Sequence, residues 1–328
     1  MTVSRVINGE SNVRPATRET VNAAIAELNY SPNTAARTLA GAGQSRIGLL
    51  YSNPSAAYLS EFLVGSLDQA SKRDVQLIVE KCELGDHEIE VARHLIDGGI
   101  DGIVLPPPLC ESTGLIRMLA EEKVCAVLVG SATPAEELLA VSIDDHRAAL
   151  DMTRHIVSLG HRRVGFIEGS PTLKASADRL AGYRAALEEA GLPADDGLVA
   201  PGLFTYRSGL DAAEQLLDLH EPPTAIFASN DDMAAAAVAV AHRRGLDVPG
   251  DLTVCGFDDT TLATAIWPEL TTIHQPIADM SRAAVDMLVT AVRRQDAPPE
   301  ERHRLLDFTL VRRQSDAAPR RRPRTPAA

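Results

Sequence analysis

At 328 residues the chain is longer than one ordinary domain, and a hydrophobic content of 45% supplies enough apolar side chains for more than one core. Its net charge of −13 excludes a uniformly basic nucleic-acid binder. No apolar run reaches the roughly 18 residues that span a bilayer, and the N-terminal stretch has no signal-peptide core, so a cytoplasmic protein with no membrane partner is expected.

The chain opens with Thr2 to Gly9, Thr-Val-Ser-Arg-Val-Ile-Asn-Gly. Val3, Val6 and Ile7 fall at i, i+3 and i+4, one apolar helix face, which leaves Thr2, Ser4 and Arg5 outside and Asn8-Gly9 as the stop. Small hydroxyls suit phosphates, and an arginine can reach the O6 and N7 acceptors of guanine. A second helix is expected from Pro15 to Leu28, with Val21, Ile25 and Leu28 inward. Ser31-Pro32 then starts a third, Asn33 to Ala40, closed by Gly41-Ala42-Gly43. That helix holds too few large apolar side chains to bury, and its length of about eight residues is below the roughly 12–15 an isolated helix needs. It should form only with a partner. Up to Arg46 there are five arginines against three glutamates, net +2, so phosphate attraction is confined to this end of an acidic chain.

TVSRVING, followed by TRETVNAAIAELNYSPNTAARTLAG, resembles the DNA-binding headpiece of the LacI/GalR family of bacterial transcription regulators. The resemblance implies that Arg5 reads a base, that Thr2 and Ser4 hold phosphates and that Asn8 sits near the end of a recognition helix. It makes AARTLAG a hinge helix for the minor groove, with Asn33, Ala36 and Leu39 as contacts and Leu39 as the wedge between base pairs. A helix-turn-helix also needs a first helix behind the recognition helix. This sequence starts at Met1 without one, so the headpiece is expected to be truncated, and a DNA-free cytoplasmic sugar sensor is the alternative reading.

From Arg46 onward, apolar runs at Ile47–Tyr51, Gln76–Val79, Gly102–Leu105 and Val124–Val129 alternate with helical patterns at Leu59–Arg73, Asp86–Gly98 and Thr113–Glu121. After a helix at Asp145–Leu159 the alternation resumes. Its strands are Val164–Ile167, one near Leu198–Leu203, Ala225–Ala228 and Thr253–Phe257, and its helices Ser176–Ala190, Tyr206–Leu217 and Asn230–Arg244. Alternation of this kind makes parallel sheets covered on both faces. The expected fold is therefore α/β, with two doubly wound parallel-sheet lobes after a small all-α headpiece and hinge helix. Family resemblance makes the lobes periplasmic-binding-protein-like. Gly160-His161-Arg162-Arg163 then leads into the second lobe, Pro268 to Ile273 (P-E-L-T-T-I) crosses back, and helix Ile277–Arg294 packs on the first. The expected boundaries are 1–45 for the headpiece and hinge, 46–159 with 276–303 for lobe 1, and 160–275 with 304–315 for lobe 2, closed by a strand at Leu310–Arg313. Residues 316–328, rich in Ala, Pro and Arg, should form a disordered tail.

Ligands of open α/β sheets lie at the carboxyl ends of strands. Asn230-Asp231 and Asp258-Asp259 follow strands directly, though such residues also cap helices. The resemblance implies effector contacts at Asn230, Asp258 and Arg179, with Asp231 and Asp259 structural, and an aromatic face at Phe204 with Tyr206 as the fallback. Ser52 and Tyr58, on the loop after the first strand, form the opposite wall, and Gln275 stands at the lobe crossing. A forked guanidinium beside carboxylate and amide acceptors can fix a vicinal diol.

No nucleophile elbow, Walker motif, dinucleotide fingerprint or H-E-x-x-H occurs, so no enzyme is expected. The four cysteines lack C-x-x-C spacing and the nine histidines lack metal-ligand spacing, so no metal or cofactor is expected, and the cysteines should be buried thiols. The combined reading is a homodimeric repressor whose partners are operator DNA and a small effector, most simply a sugar.

Overall fold

The computed structural model describes residue 6 and residues 14–27, 44–83, 85, 87–130, 138–293 and 302–320. Thr2, Ser4, Arg5, Asn8, Asn33, Ala36, Leu39, the third helix and residues 321–328 lie outside the described residues. The chain divides into two units, residues 1–44 and 45–328. In the first, Pro15 opens helix α1 (Pro15–Glu27), its missing N–H costing nothing at that position.

The second unit holds two six-stranded sheets. Sheet one is built from β1 (Ser45–Tyr51), β2 (Val75–Lys81), β3 (Gly102–Leu105), β4 (Cys125–Val129), β5 (Leu139–Ser142) and β11 (His303–Leu305), in the order β11-β5-β4-β3-β1-β2. Helices α2 (Ala56–Lys72), α3 (Glu88–Asp97), α4 (Thr113–Glu121) and α10 (Ile277–Arg293) cover it. Sheet two contains β6 (Val164–Ile167), β7 (Val199–Ala200), β8 (Ala225–Ala228), β9 (Thr253–Asp258), β10 (Thr271–His274) and β12 (Thr309–Val311), in the order β12-β10-β9-β8-β6-β7. Its helices are α5 (Asp145–Ser158), α6 (Lys174–Glu189), α7 (Tyr206–Leu217), α8 (Asp231–Arg243) and the short α9 (Thr261–Ala265). Every strand pair is parallel except β10 with β12. Strands β3, β6 and β8 are buried throughout, which is why they read as unbroken apolar runs.

The structure corrects several expectations. Helix α5 packs along α6, so the chain crosses to the second lobe between β5 and α5 rather than at Gly160. The P-E-L-T-T-I run is not a crossing: Thr271–His274 is strand β10 of sheet two, and the crossing follows it. Strand β11 pairs with β5, which places 303–305 in the first lobe, and the return to the second spans only 306–308. The segment after Gln314 is held as far as Arg320. Ser315 receives the Thr271 amide (2.8 Å), the Ala317 amide donates to Thr253 Oγ1 (3.0 Å), and Arg320 pairs with Asp247 and Asp251. Composition alone hid these specific bonds.

Helix α6 carries Arg179, Gly182 and Tyr183 at i, i+3 and i+4, one inward face. Tyr183 stacks on Phe166 of β6 at 4.8 Å and donates to the Val164 carbonyl at 2.8 Å. At Gly182 a Cβ would lie 2.2 Å from the His146 carbonyl oxygen, so glycine is what lets α5 and α6 approach this closely. His161 is structural: its ring bonds Thr224 Oγ1, Thr253 Oγ1 and the Ala317 carbonyl. Cys82, Cys110 and Cys255 are buried free thiols, and Cys125 is half-buried. None of the described helices is long and apolar enough to cross a membrane.

Candidate functional site

Both sheets reverse strand order beside their first strand, and the crevice beyond the carboxyl ends at such a reversal is where this architecture admits ligands. A cleft of about 240 Å³ lies there, between the lobes. Its wall follows the strand ends in turn: Ser52, Asn53 and Ser55 after β1, Pro107 and Pro108 after β3, and Gly130 after β4; Asp145, at the start of α5 just past the crossing that follows β5, already belongs to the second lobe. From the other lobe come Thr172 and Leu173 after β6, Leu203 and Phe204 after β7, Asn230 after β8, Asp258 closing β9 and Gln275 after β10. Tyr58 and Arg179 reach it from helices α2 and α6. All seven side chains singled out as effector contacts therefore line one cleft; Tyr206 does not.

Arg179 is its electrostatic centre. The side chain is buried, with Nε donating to Asp145 Oδ1 at 2.7 Å and Nη1 to the Ser229 carbonyl at 2.5 Å. Asp258 Oδ1 is 3.8 Å from Nη1, an ion pair beyond hydrogen-bond distance, and accepts from Gln275 Nε2 at 2.9 Å. The guanidinium lies over Phe257, 3.6 Å from the ring centre, with Phe204 at 5.8 Å. Burial pushes Asp145 and Asp258 above the ordinary carboxylate range, Asp258 the further, while Arg179 pulls both down. Burial raises the Tyr58 phenol as well.

Two non-glycine residues of the wall adopt left-handed backbone, Phe204 at φ 58° and Asp258 at φ 105°. Such conformations cost of order 1–3 kcal/mol each and persist where surroundings enforce them. At Phe204 they do so on both sides. Asn230 Nδ2 donates to the Phe204 carbonyl at 3.1 Å, and the ring lies so close to Gly169 that a Cβ there would overlap it.

Asn230 is also the N-cap of α8, its Oδ1 accepting from the Met233 amide at 3.0 Å. The capping role and the place in the cleft thus coincide in one residue. Asp258 caps nothing, since α9 begins after Thr260. Asp259 pairs with Arg313 at 2.5 Å and His274 at 3.1 Å. Across the cleft, Ser55 Oγ donates to Asp232 Oδ2 at 2.6 Å, one hydrogen bond joining the lobes. Sequence reasoning missed Asp145, Asp232 and the two prolines. Asp145 was findable: the strand-end rule reaches it once Leu139–Ser142 is recognised as a strand.

Asp231, fully buried beside the cleft, accepts from Thr272 Oγ1 at 2.7 Å and the Thr260 amide at 2.8 Å. Burial nonetheless moves its pKa from the ordinary 3.8 to about 7. Because the folded state holds this proton more tightly, Asp231's contribution to stability is full below about pH 4 and is lost as pH rises towards about 7. Asp231→Asn can keep both bonds, its Oδ1 accepting from the Thr260 amide and its Nδ2 donating to the Thr272 hydroxyl, and should remove that slope, by up to about one proton. Urea unfolding across this range checks it; an unchanged slope in the variant would place the titration elsewhere.

Residues 1–33 match the lacI family of bacterial regulatory proteins, and residues 153–315 match a periplasmic binding protein-like domain. Catabolite control protein A of Priestia megaterium is 34% identical over 88% of this chain and 87% of its own. The solved transcriptional regulator CelR–cellobiose complex superposes with a TM-score of 0.77 at 33% identity, covering 95% of this chain and 94% of that one. The lac repressor dimer bound to operator and the anti-inducer ONPF gives 0.80 at 28%, covering 97% and 95%. These relatives are regulators of transcription, not enzymes, and each match runs over most of both chains. The chain belongs to the LacI/GalR family of bacterial transcription regulators.

Proposed function

We propose that the protein is a cytoplasmic, homodimeric repressor whose operator affinity is set by a small effector, most simply a sugar, bound between the lobes. The observation that carries this is the convergence of Arg179, Asp258, Asn230, Gln275, Phe204, Tyr58 and Ser52 on one cleft. Arg179 and Asp258 are the primary polar contacts. Asn230 and Gln275 hold Phe204 and Asp258 in place, and the aromatic rings offer faces to a sugar's C–H groups. The likeness to a regulator solved with cellobiose supports a sugar, and the likeness to a repressor dimer on its operator supports DNA and a second copy.

Thr2, Ser4, Arg5 and Asn8 are proposed to contact the major groove, and Asn33, Ala36 and Leu39 the minor groove. Two copies suit a palindromic site. Val64 and Leu67 on α2, together with Trp267, are large apolar side chains left 59%, 55% and 73% exposed, surface that a second copy would cover. Effector closure of the lobes would alter that pairing and separate the hinge helices. The coupling is reciprocal, so operator DNA weakens effector binding by the same factor.

Gel mobility shift with a palindromic operator, with and without sugar, tests the proposal; DNA binding that no sugar alters would count against it. Leu39→Ala should weaken operator binding about tenfold or more, the loss of a wedge at a kinked step, without changing effector affinity. Binding should also fall steeply with salt, because phosphate contacts release counterions. An unchanged operator affinity in the variant would remove the wedge.

A further inference from the structure

The cleft has formal charge of its own, and where that charge is already spent bears on what can enter. Its only lining cation among the described residues is Arg179, and two carboxylates, Asp145 and Asp258, line it too. Arg179 gives Nε to Asp145 and Nη1 to the Ser229 carbonyl, with Asp258 beside it. Lys174, at the start of α6, is held by Asp178 at 2.5 Å and faces Glu111. The first turn of α8, a natural seat for an anion, is occupied by its own Asp231 and Asp232. Helix α6 begins without a side-chain cap, so its first-turn N–H groups can donate to hydroxyl and phosphate oxygens alike, but they bring only the partial positive charge of a helix end.

A buried ion is tolerated only beside an unspent partner. A phosphate or carboxylate in this cleft would meet a guanidinium already neutralised and two acids it must displace or repel. An uncharged hydroxylated ring meets no such conflict: it can bridge the Arg179 and Asp258 groups and lay its C–H faces on Pro107, Leu173, Leu203 and Phe204. At about 240 Å³ the space also lies below the ~300–1,000 Å³ of pockets for drug-sized ligands. We propose that the cleft selects an uncharged polyol of monosaccharide size and excludes phosphorylated and carboxylated sugars. This rests on the sugar-effector reading above and narrows it.

The test is thermal shift followed by calorimetry on the full chain. Glucose, galactose, xylose and ribose are compared at equal concentration with glucose 6-phosphate, galactose 1-phosphate, ribose 5-phosphate, glucuronate and cellobiose. The expected result is that at least one neutral monosaccharide raises Tm, with its anionic counterpart bound at least about tenfold more weakly. In Asp145→Asn, which leaves Arg179 with positive charge to spare, that ratio should narrow. A sugar phosphate or uronate binding as tightly as its neutral parent would overturn the charge rule while leaving a sugar effector in place, all the more if Lys174→Ala abolished it. Tight binding of cellobiose alone would overturn the size limit. Failure of every sugar would overturn the sugar reading itself and this inference with it. The wild-type panel decides even if Asp145→Asn does not fold.

Discussion

Arg179→Ala is expected to abolish stabilisation by any effector and to lower the stability of the ligand-free protein by about 3–5 kcal/mol, the usual cost of breaking a buried ion pair from one side. The cost arises because Asp145 keeps its buried site and loses its donor, while the Ser229 carbonyl and the Phe257 ring lose the group packed between them. Burial already raises Asp145 and Asp258, and without the guanidinium both should rise further. The folded variant then holds extra protons, so its deficit should be smaller at about pH 5 than at about pH 8. Arg179→Lys restores charge but not the planar fork, and should recover part of the stability and little of the binding. A ligand-induced shift retained in Arg179→Ala would remove the residue from the site.

Gly182→Ala should act through the same pair from a distance. The added methyl meets the His146 carbonyl at 2.2 Å and the Leu150 amide nitrogen at 2.9 Å, both backbone, so α5 must move away from α6. Overpacking of this kind costs about 1–3 kcal/mol, against a gain of about 1 kcal/mol from replacing glycine in a helix, for a net loss of up to about 2 kcal/mol. Asp145, the residue before His146, is carried off with the helix, so its 2.7 Å bond to Arg179 should lengthen and effector affinity should fall. Urea unfolding and a thermal shift with the bound sugar check both effects. Lost stability with unchanged affinity would show that α5 adjusts without moving its first turn.

The alternation of strands and helices was legible because strands such as Val164–Ile167 and Ala225–Ala228 are buried on both faces and must be apolar throughout. Leu139–Ser142 is only four residues long and ends in a half-buried serine, so nothing in its composition separates it from a loop. With that strand unread, the lobe crossing slid forward to Gly160 and Asp145 lost its place at a strand end. The polar tail likewise misled: Asp316, expected to be solvated, bonds Thr271, His155 and Arg312. Burial lifts its carboxyl, but these partners outweigh it and bring it down to about 2. Long-range pairing of this kind leaves no periodic trace. For the site, the strand-end rule singled out Asn230 and Asp258, whereas Arg179 and the loop residue Phe204 were placed by family resemblance; for Arg179, neither type nor spacing marks a helix residue as facing a cleft.

Trp267, the exposed side chain in the loop before β10, is the sole tryptophan in the sequence. Ultraviolet emission excited at the red edge therefore reports a single spot on the molecule, and a water-bathed indole glows at longer wavelength than a covered one. Diluting unlabelled protein should shift the spectrum to the red if a second copy sits over this loop, which turns self-association into a colour that needs no dye.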